Sequence, residues 1–209
     1  PGVYVQEEDG LGLRPNIGIR GTGLERMEKL NVMEDGIIIA PAPYASPAAY
    51  YSPTMGRMQG LEVRKGSTQI KHGPFTTGGS LNYISTAIPS SSLNSVDFMA
   101  GSFGKTVLHV KSGNTMGQWG YLFEVYNDMT DGFKELDGGG NTGYSKTDVM
   151  AKVRYAMNVN HAVEMKFSMT DEISDETYLG LSDDDYAANP LRRYRASQLD
   201  EMDADHSQF

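Results

Sequence analysis

The sequence predicts a small α+β domain, a mixed sheet with short helices over residues 1–89, followed by the antiparallel strands of a transmembrane β-barrel. The barrel occupies residues 90–209 and is incomplete in this chain. Three observations predict it. Beyond residue 118, three segments alternate apolar and polar residues with period two, as strands with one greasy and one wet face do. The connections between strands are short on one side and long on the other, as in outer-membrane barrels. Before residue 89 the apolar runs are shorter and broken by glycine and proline, and the composition changes at Ile88-Pro89-Ser90-Ser91-Ser92.

In the first domain, Val3-Tyr4-Val5, Asn16–Arg20, Leu30–Met33 and Ile37–Ile39 read as short strands. Asp35-Gly36 between two apolar runs is a hairpin signal, because glycine accepts the positive φ of a tight turn. Ala40–Pro53 holds four prolines and three tyrosines, too much proline for a central strand. It reads either as an exposed aromatic loop or as a packed connector, with a short helix at Ser46–Tyr51 and an irregular piece at Thr54–Met58. Two further strands, Gly60–Val63 and Leu81–Ile84, flank a glycine-rich stretch that reads as a compact insert rather than a helix.

In the second domain the alternation is regular. Trp119, Tyr121, Phe123 and Val125 share one face; Val149, Ala151, Val153, Tyr155 and Met157 share another; Val163, Met165, Phe167 and Met169 a third. Ser95–Gly101 and Thr106–Ser112 are weaker versions, giving five strands in series. Short turns are expected at Gly113–Gln118 and Asn158–Asn160. A glycine-rich loop, Asp131–Tyr144, and a long acidic tail after Asp171 lie at the other end. Trp119 and Tyr155 fall near the short-turn end, where an interfacial aromatic girdle would sit. A soluble antiparallel sandwich would also alternate, so periodicity leaves both readings open. Five strands cannot close a barrel in lipid without leaving backbone donors and acceptors unpaired, so the chain reads as part of something longer.

Composition excludes several classes. Of the net charge of −9, the stretch from Asp171 onward carries −8, with 11 acidic residues against Arg192, Arg193 and Arg195. That distribution argues against nucleic acid as a partner and reads as a solvated, flexible loop. Cysteine is absent, which removes disulfides and thiolate metal sites. No targeting segment is visible, and no apolar run is long enough for a membrane helix. His72, His109, His161 and His206 are scattered without a metal-binding spacing. Asp183-Asp184-Asp185 lacks the spacing of a calcium loop, Gly138-Gly139-Gly140 lacks the residues of a phosphate loop, and no nucleophile elbow is present. Catalysis is therefore not expected, and neither is a cofactor.

Three motifs in order, NIGIRG (Asn16–Gly21), NVMEDGIII (Asn31–Ile39) and LEVRKGSTQIKHGPFTTGGSLNYIS (Leu61–Ser85), resemble the plug domain of TonB-dependent outer-membrane receptors. MEDGIIIAPAPYASPAAY (Met33–Tyr50) and the tail from Glu176 to His206 are similar to ferric-dicitrate-type receptors within that family. The resemblance implies a plug over residues 1–89 and a transporter in the outer membrane of a Gram-negative bacterium. It would import a ferric siderophore or citrate chelate, with outer-membrane lipid around its wall. Energy would come from the TonB-ExbB-ExbD complex through a segment upstream of residue 1. By the same resemblance Arg20 and Arg64 would latch the plug to wall glutamates, since an arginine beside a tight glycine turn can form bidentate carboxylate pairs.

Three plug loops, Thr22–Lys29, Ala40–Tyr50 and Ser67–Thr76, are expected to face outward. Within them Arg26, Lys29, Tyr44, Gln69, Lys71 and His72 have the chemistry to hold an anionic chelate: cations for carboxylates, aromatic faces and amides for stacking and hydrogen bonds.

Overall fold

A computed structural model of the chain describes residues 2–8, 10–39, 51–73, 77–175, 179–194 and 204–208. The chain divides into two compact units, Pro1–Thr86 and Ala87–Phe209.

In the first unit, β1 (Val3–Glu7) and β2 (Pro15–Ile19) form an antiparallel pair. A separate four-stranded sheet runs β4-β3-β6-β5, made of β3 (Leu30–Glu34), β4 (Ile37–Ile38), β5 (Met58–Arg64) and β6 (Gly79–Ser85). β3 and β6 are parallel and the other neighbours antiparallel, so the sheet is mixed. The hairpin expected at Asp35-Gly36 is present. Asp35 and Gly36 have φ of 51° and 83°, the pair of positive values that a two-residue turn matched to strand twist requires. Ile17, Ile19, Met27, Leu30, Val32, Leu81 and Tyr83 are buried together as the core. Each fully buried aliphatic side chain contributes about 1.5–3 kcal/mol over leaving it in water.

The glycine-rich stretch differs from its sequence reading: Ser67–His72 is a 3-10 helix. Such a helix needs only three residues per turn and so fits between the two strand ends without an amphipathic pattern. Residues 46–50 of the expected helix lie outside the described residues, while Tyr51 lies outside any helix and Met55–Arg57 is a 3-10 turn.

The second unit is a six-stranded antiparallel sheet in the order β12-β11-β10-β9-β8-β7. β7 (Leu93–Ala100), β8 (Thr106–Met116), β9 (Trp119–Thr130), β10 (Tyr144–Asn158) and β11 (His161–Ser174) follow as a meander. β12 (Ala204–Gln208) adds beyond β11, giving six strands among the described residues where five were expected. The sequence ADHSQ has no apolar alternation to announce it. The turn expected at Gly113–Gln118 is shorter than that: Met116 pairs with Trp119, leaving Gly117 and Gln118.

Register puts Phe123 opposite Ala151, and Ala151 opposite Phe167. This apolar face is exposed: Trp119 57%, Phe123 45%, Val153 46% and Phe167 57%. The other face is buried over much of β9, β10 and the end of β11, although it carries Glu124 and Asp148, at 0% and 1% exposure, with Lys146, Lys152 and Glu172, while Arg154 and Glu164 nearer the short turns are exposed. A water-soluble sandwich has the reverse arrangement.

Candidate functional site

At one end of the four-stranded sheet, β3 and β6 begin and β5 ends. The segment 22–29 enters β3 there, and 65–78 joins β5 to β6. The amide of Gly78 donates to the carbonyl of Lys29 (3.0 Å), and the Asn31 side-chain amide donates to the carbonyl of His72. Ile39, donating to the carbonyl of Val32 (3.1 Å), carries the chain out of β4 toward the same end. One backbone and one side-chain hydrogen bond thus gather two of the three expected loops into one rim.

Arg26 sits in a 3-10 turn, Glu25–Met27, with φ 45°. Its amide donates to Asn16 Oδ1 (2.6 Å), and its Nε lies 3.9 Å from Glu8 Oε1. Lys29 pairs with Glu28 (2.9 Å), both well exposed. An exposed pair of this kind is worth about 0–1 kcal/mol, so the ammonium is easily recruited by a ligand. Lys71 is exposed and His72 half-buried; Nε2 of His72 has no hydrogen-bond partner among the described residues. For Gln69 only the backbone is described, and Tyr44 and the rest of residues 40–50 lie outside the described residues. The rim therefore brings Lys29, Lys71 and His72 to one end, with Arg26 in the turn that leads into β3.

Arg20 and Arg64 flank the start of β6. A Cβ at Gly79 would stand 3.0 Å from the Ile19 side chain and 2.7 Å from the Arg64 carbonyl, so only glycine fits between the two segments. Arg20 is exposed, with φ 60°, and its amide donates to Gly2 (2.8 Å). Within the first unit the Arg64 guanidinium donates to Glu62 Oε2 (3.2 Å). The Asn82 amide donates to the same oxygen (3.2 Å). Those two donors, Asn82 first, hold the Glu62 carboxyl below its ordinary value.

Sequence reasoning missed the polar node at the other end of the sheet. Arg57, buried, donates to Glu34 through both terminal nitrogens (2.9 and 3.0 Å). Asp35 accepts from the amide and hydroxyl of Ser85 (2.9 and 2.5 Å). No local pattern links Arg57 to a carboxylate 23 residues away; the only signal was a charged residue inside an otherwise apolar neighbourhood.

In the second unit the buried face is a set of paired charges. Lys146 pairs with Glu172 (2.8 Å), and His109 Nε2 with Glu124 Oε1 (2.6 Å). Thr170 donates to Asp148 (2.5 Å), and Lys105 donates to Asp128 and to the Tyr144 hydroxyl. Polar side chains on the exposed face are also paired. Asn127 donates to Thr147 (2.9 Å), Ser112 to Asn94 (2.9 Å) and Ser207 to Asp171 (2.7 Å). Such pairing is what a surface without water demands. At the short-turn end, Trp119 and Tyr155 stack with ring centroids 4.6 Å apart.

The tail after Asp171 is more than a solvated loop. Asp171–Ser174 completes β11. Ser182 caps the short helix α1 (Asp183–Ala188), and Arg192 binds Asp137 and Asp185 across two connections. Among the described residues no group of three or more His, Asp or Glu side chains could hold a metal ion.

No family model matches the chain. Solved structures do. Over 92% of this chain and 30% of the other, it superposes on the ferric citrate transporter FecA in its unliganded form, with a TM-score of 0.75 and 24% identity. The pyoverdine outer-membrane receptor FpvA of Pseudomonas aeruginosa PAO1, bound to pyoverdine, gives a TM-score of 0.66 at 18% identity over 83% of this chain and 24% of that one. The copper transporter OprC gives 0.61 at 20% identity over 83% and 27%. The chain spans less than a third of the length of these proteins. Its structural neighbours are TonB-dependent outer-membrane receptors, and over the part it shares with them the chain has their fold.

Proposed function

We propose that the whole protein is a TonB-dependent active transporter of a Gram-negative outer membrane that imports a ferric chelate, citrate or another carboxylate-type siderophore. Residues 1–89 serve as the plug and residues 90–209 begin the barrel. The observation that carries this reading is the inverted sheet, with Trp119, Phe123, Val153 and Phe167 exposed and Glu124, Lys146 and Asp148 buried. From Trp119 to Met129, ten residue steps along β9, an extended strand covers about 33 Å. At a tilt of about 40° that is about 25 Å of membrane normal, the height of a barrel's apolar band. The Trp119–Tyr155 pair then marks one membrane interface.

The chelate binds at the plug rim. Lys29, Lys71, His72 and Arg26, with Tyr44 and Gln69, meet its carboxylates from the 22–29, 40–50 and 67–76 loops. Arg20 and Arg64 hold the plug until the TonB-ExbB-ExbD complex, pulling on a segment upstream of residue 1, loosens it. Release stays affordable because water in the lumen resolvates each freed polar group. A non-iron cargo is the second reading, favoured by the fold shared with the copper transporter OprC.

The test is iron-limited growth of a deletion strain on single ferric chelates, citrate first, complemented with wild type, Arg26→Ala or Tyr44→Ala. The expected result is loss of growth on one chelate, restored by wild type and weakened by each variant. Normal growth of the deletion strain on every ferric chelate removes the iron assignment. Growth lost under copper limitation instead supports the second reading.

A further inference from the structure

A second candidate site lies wholly within the second unit, at the long-connection end of its sheet. The 131–143 connection and the 179–194 segment are fastened together there. The amide of Glu135 donates to Leu191 (2.8 Å) and that of Arg193 to Glu135 (2.9 Å). Asn189 donates to the Glu135 carboxylate (2.7 Å). Arg192 reaches Asp137 through two nitrogens (2.7 and 2.5 Å) and Asp185 through a third (2.5 Å). These bonds frame a half-open cavity of about 230 Å³.

The lining has two parts. Leu179, Leu181, Pro190 and Tyr186 supply an apolar wall, and Lys134, Arg192 and Arg193 bring positive charge against the single carboxylate of Asp183. The charge of Arg192 is spent on Asp137 and Asp185, so Arg192 builds the wall. Lys134 is half-buried, and its ammonium has no carboxylate partner among the described residues. An ammonium that lines a cavity beside an apolar wall, with no carboxylate partner among the described residues, is available to pair with an anion.

We propose that this cavity binds a small organic monoanion with an apolar body, a carboxylate of about the size of benzoate, with Lys134 holding the carboxylate. Its volume lies below the roughly 300–1,000 Å³ of drug-sized sites, which excludes a bulky chelate. Asp183 in the lining disfavours a second negative charge on the ligand. The loop–loop bonds are already formed without ligand, so binding need not order the walls. The inference is independent of what the protein transports.

The test is calorimetric titration of the full-length protein in detergent with benzoate, its neutral isostere benzamide, and zwitterionic phenylalanine. Saturable benzoate binding is expected, with no benzamide binding. Lys134→Gln should weaken it about tenfold or more, the loss of one charge-assisted hydrogen bond, whereas Lys134→Arg should stay within about threefold because it keeps the charge. Far-ultraviolet circular dichroism confirms that both variants keep their strands. Absence of saturable benzoate binding, equal binding of benzoate and benzamide, or full affinity in Lys134→Gln overturns the proposal. Tighter binding of phenylalanine than of benzoate also overturns it, giving Asp183 an ammonium to hold.

Discussion

The two units place their apolar and charged residues oppositely. In the first, Ile19, Val32 and Leu81 point into a buried core while Glu62 and Arg64 stay near solvent. In the second, Phe123, Val153 and Phe167 are exposed and Glu124, Lys146, Asp148 and Glu172 are buried. Alternation tells which residues share a face. It does not tell which face is inside. That is decided by the surroundings, and the paired side chains on both faces of the second sheet fit a wall between lipid and a polar interior.

The largest expected effect comes from the buried polar node at the end of the first unit's four-stranded sheet. Arg57→Ala leaves the Glu34 carboxylate buried without its bidentate partner, and should cost about 3–5 kcal/mol. Hydrogen exchange of the β3 and β6 amides in the full-length protein should accelerate accordingly, with β9 and β10 unaffected. If β9 and β10 accelerate equally, the two units are not independent in stability.

Next is Phe167→Arg, which should cost about 2–4 kcal/mol in lipid, as a charge near the middle of an apolar band does. Urea denaturation in vesicles measures it. A soluble sheet with an exposed Phe167 would tolerate the same change at within about 0.5 kcal/mol, so the size of the loss separates the two environments.

Trp119→Ala should lose about 0.5–1.5 kcal/mol from the ring pair with Tyr155, read in the same denaturation assay. An intermediate question concerns the latch. Arg20→Ala combined with Arg64→Ala should raise passive permeability of cells to small antibiotics, and unchanged permeability counts against a role in holding the plug.

The smallest effect is a pH dependence. Asn82 and Arg64 depress the Glu62 pKa in the folded state. The associated stability is therefore present above the unfolded carboxylate value of about 4.3 and lost as pH falls through the depressed folded value. Glu62→Gln should flatten that acid limb of the stability profile slightly and leave neutral pH almost untouched. Because Glu62 is exposed, a steep change would mean that another carboxylate governs the acid limb.

Much of this was legible in the sequence because it rests on local or periodic rules. The Asp35-Gly36 hairpin follows from one dipeptide, and β9, β10 and β11 follow from their alternation. What was missed depends on partners far along the chain. β12 exists because Thr170–Ser174 offers it an edge, and the Arg57–Glu34 pair exists because β3 and the Met55–Arg57 turn meet. The acidic tail looked like a solvated run because charge counts ignore that Arg192 can bind Asp137 and Asp185 at once. At the rim of the first unit's four-stranded sheet, the loops that carry Lys29, Lys71 and His72 were singled out by the family resemblance. The hydrogen bonds that gather them, Gly78 to Lys29 and Asn31 to His72, could not be read from the sequence.

The most direct test uses single cysteines, for which nothing within these 209 residues has to be replaced. Single spin labels at Phe123→Cys, Val153→Cys and Phe167→Cys, and at Lys152→Cys on the opposite face, are placed in the full-length protein in vesicles, and their collisions with oxygen and with a water-soluble nickel chelate are compared. The first three labels should favour oxygen, the lipid-soluble reagent, and the Lys152 label should not. Nickel-chelate access at Phe123, Val153 and Phe167 would contradict a lipid-facing sheet.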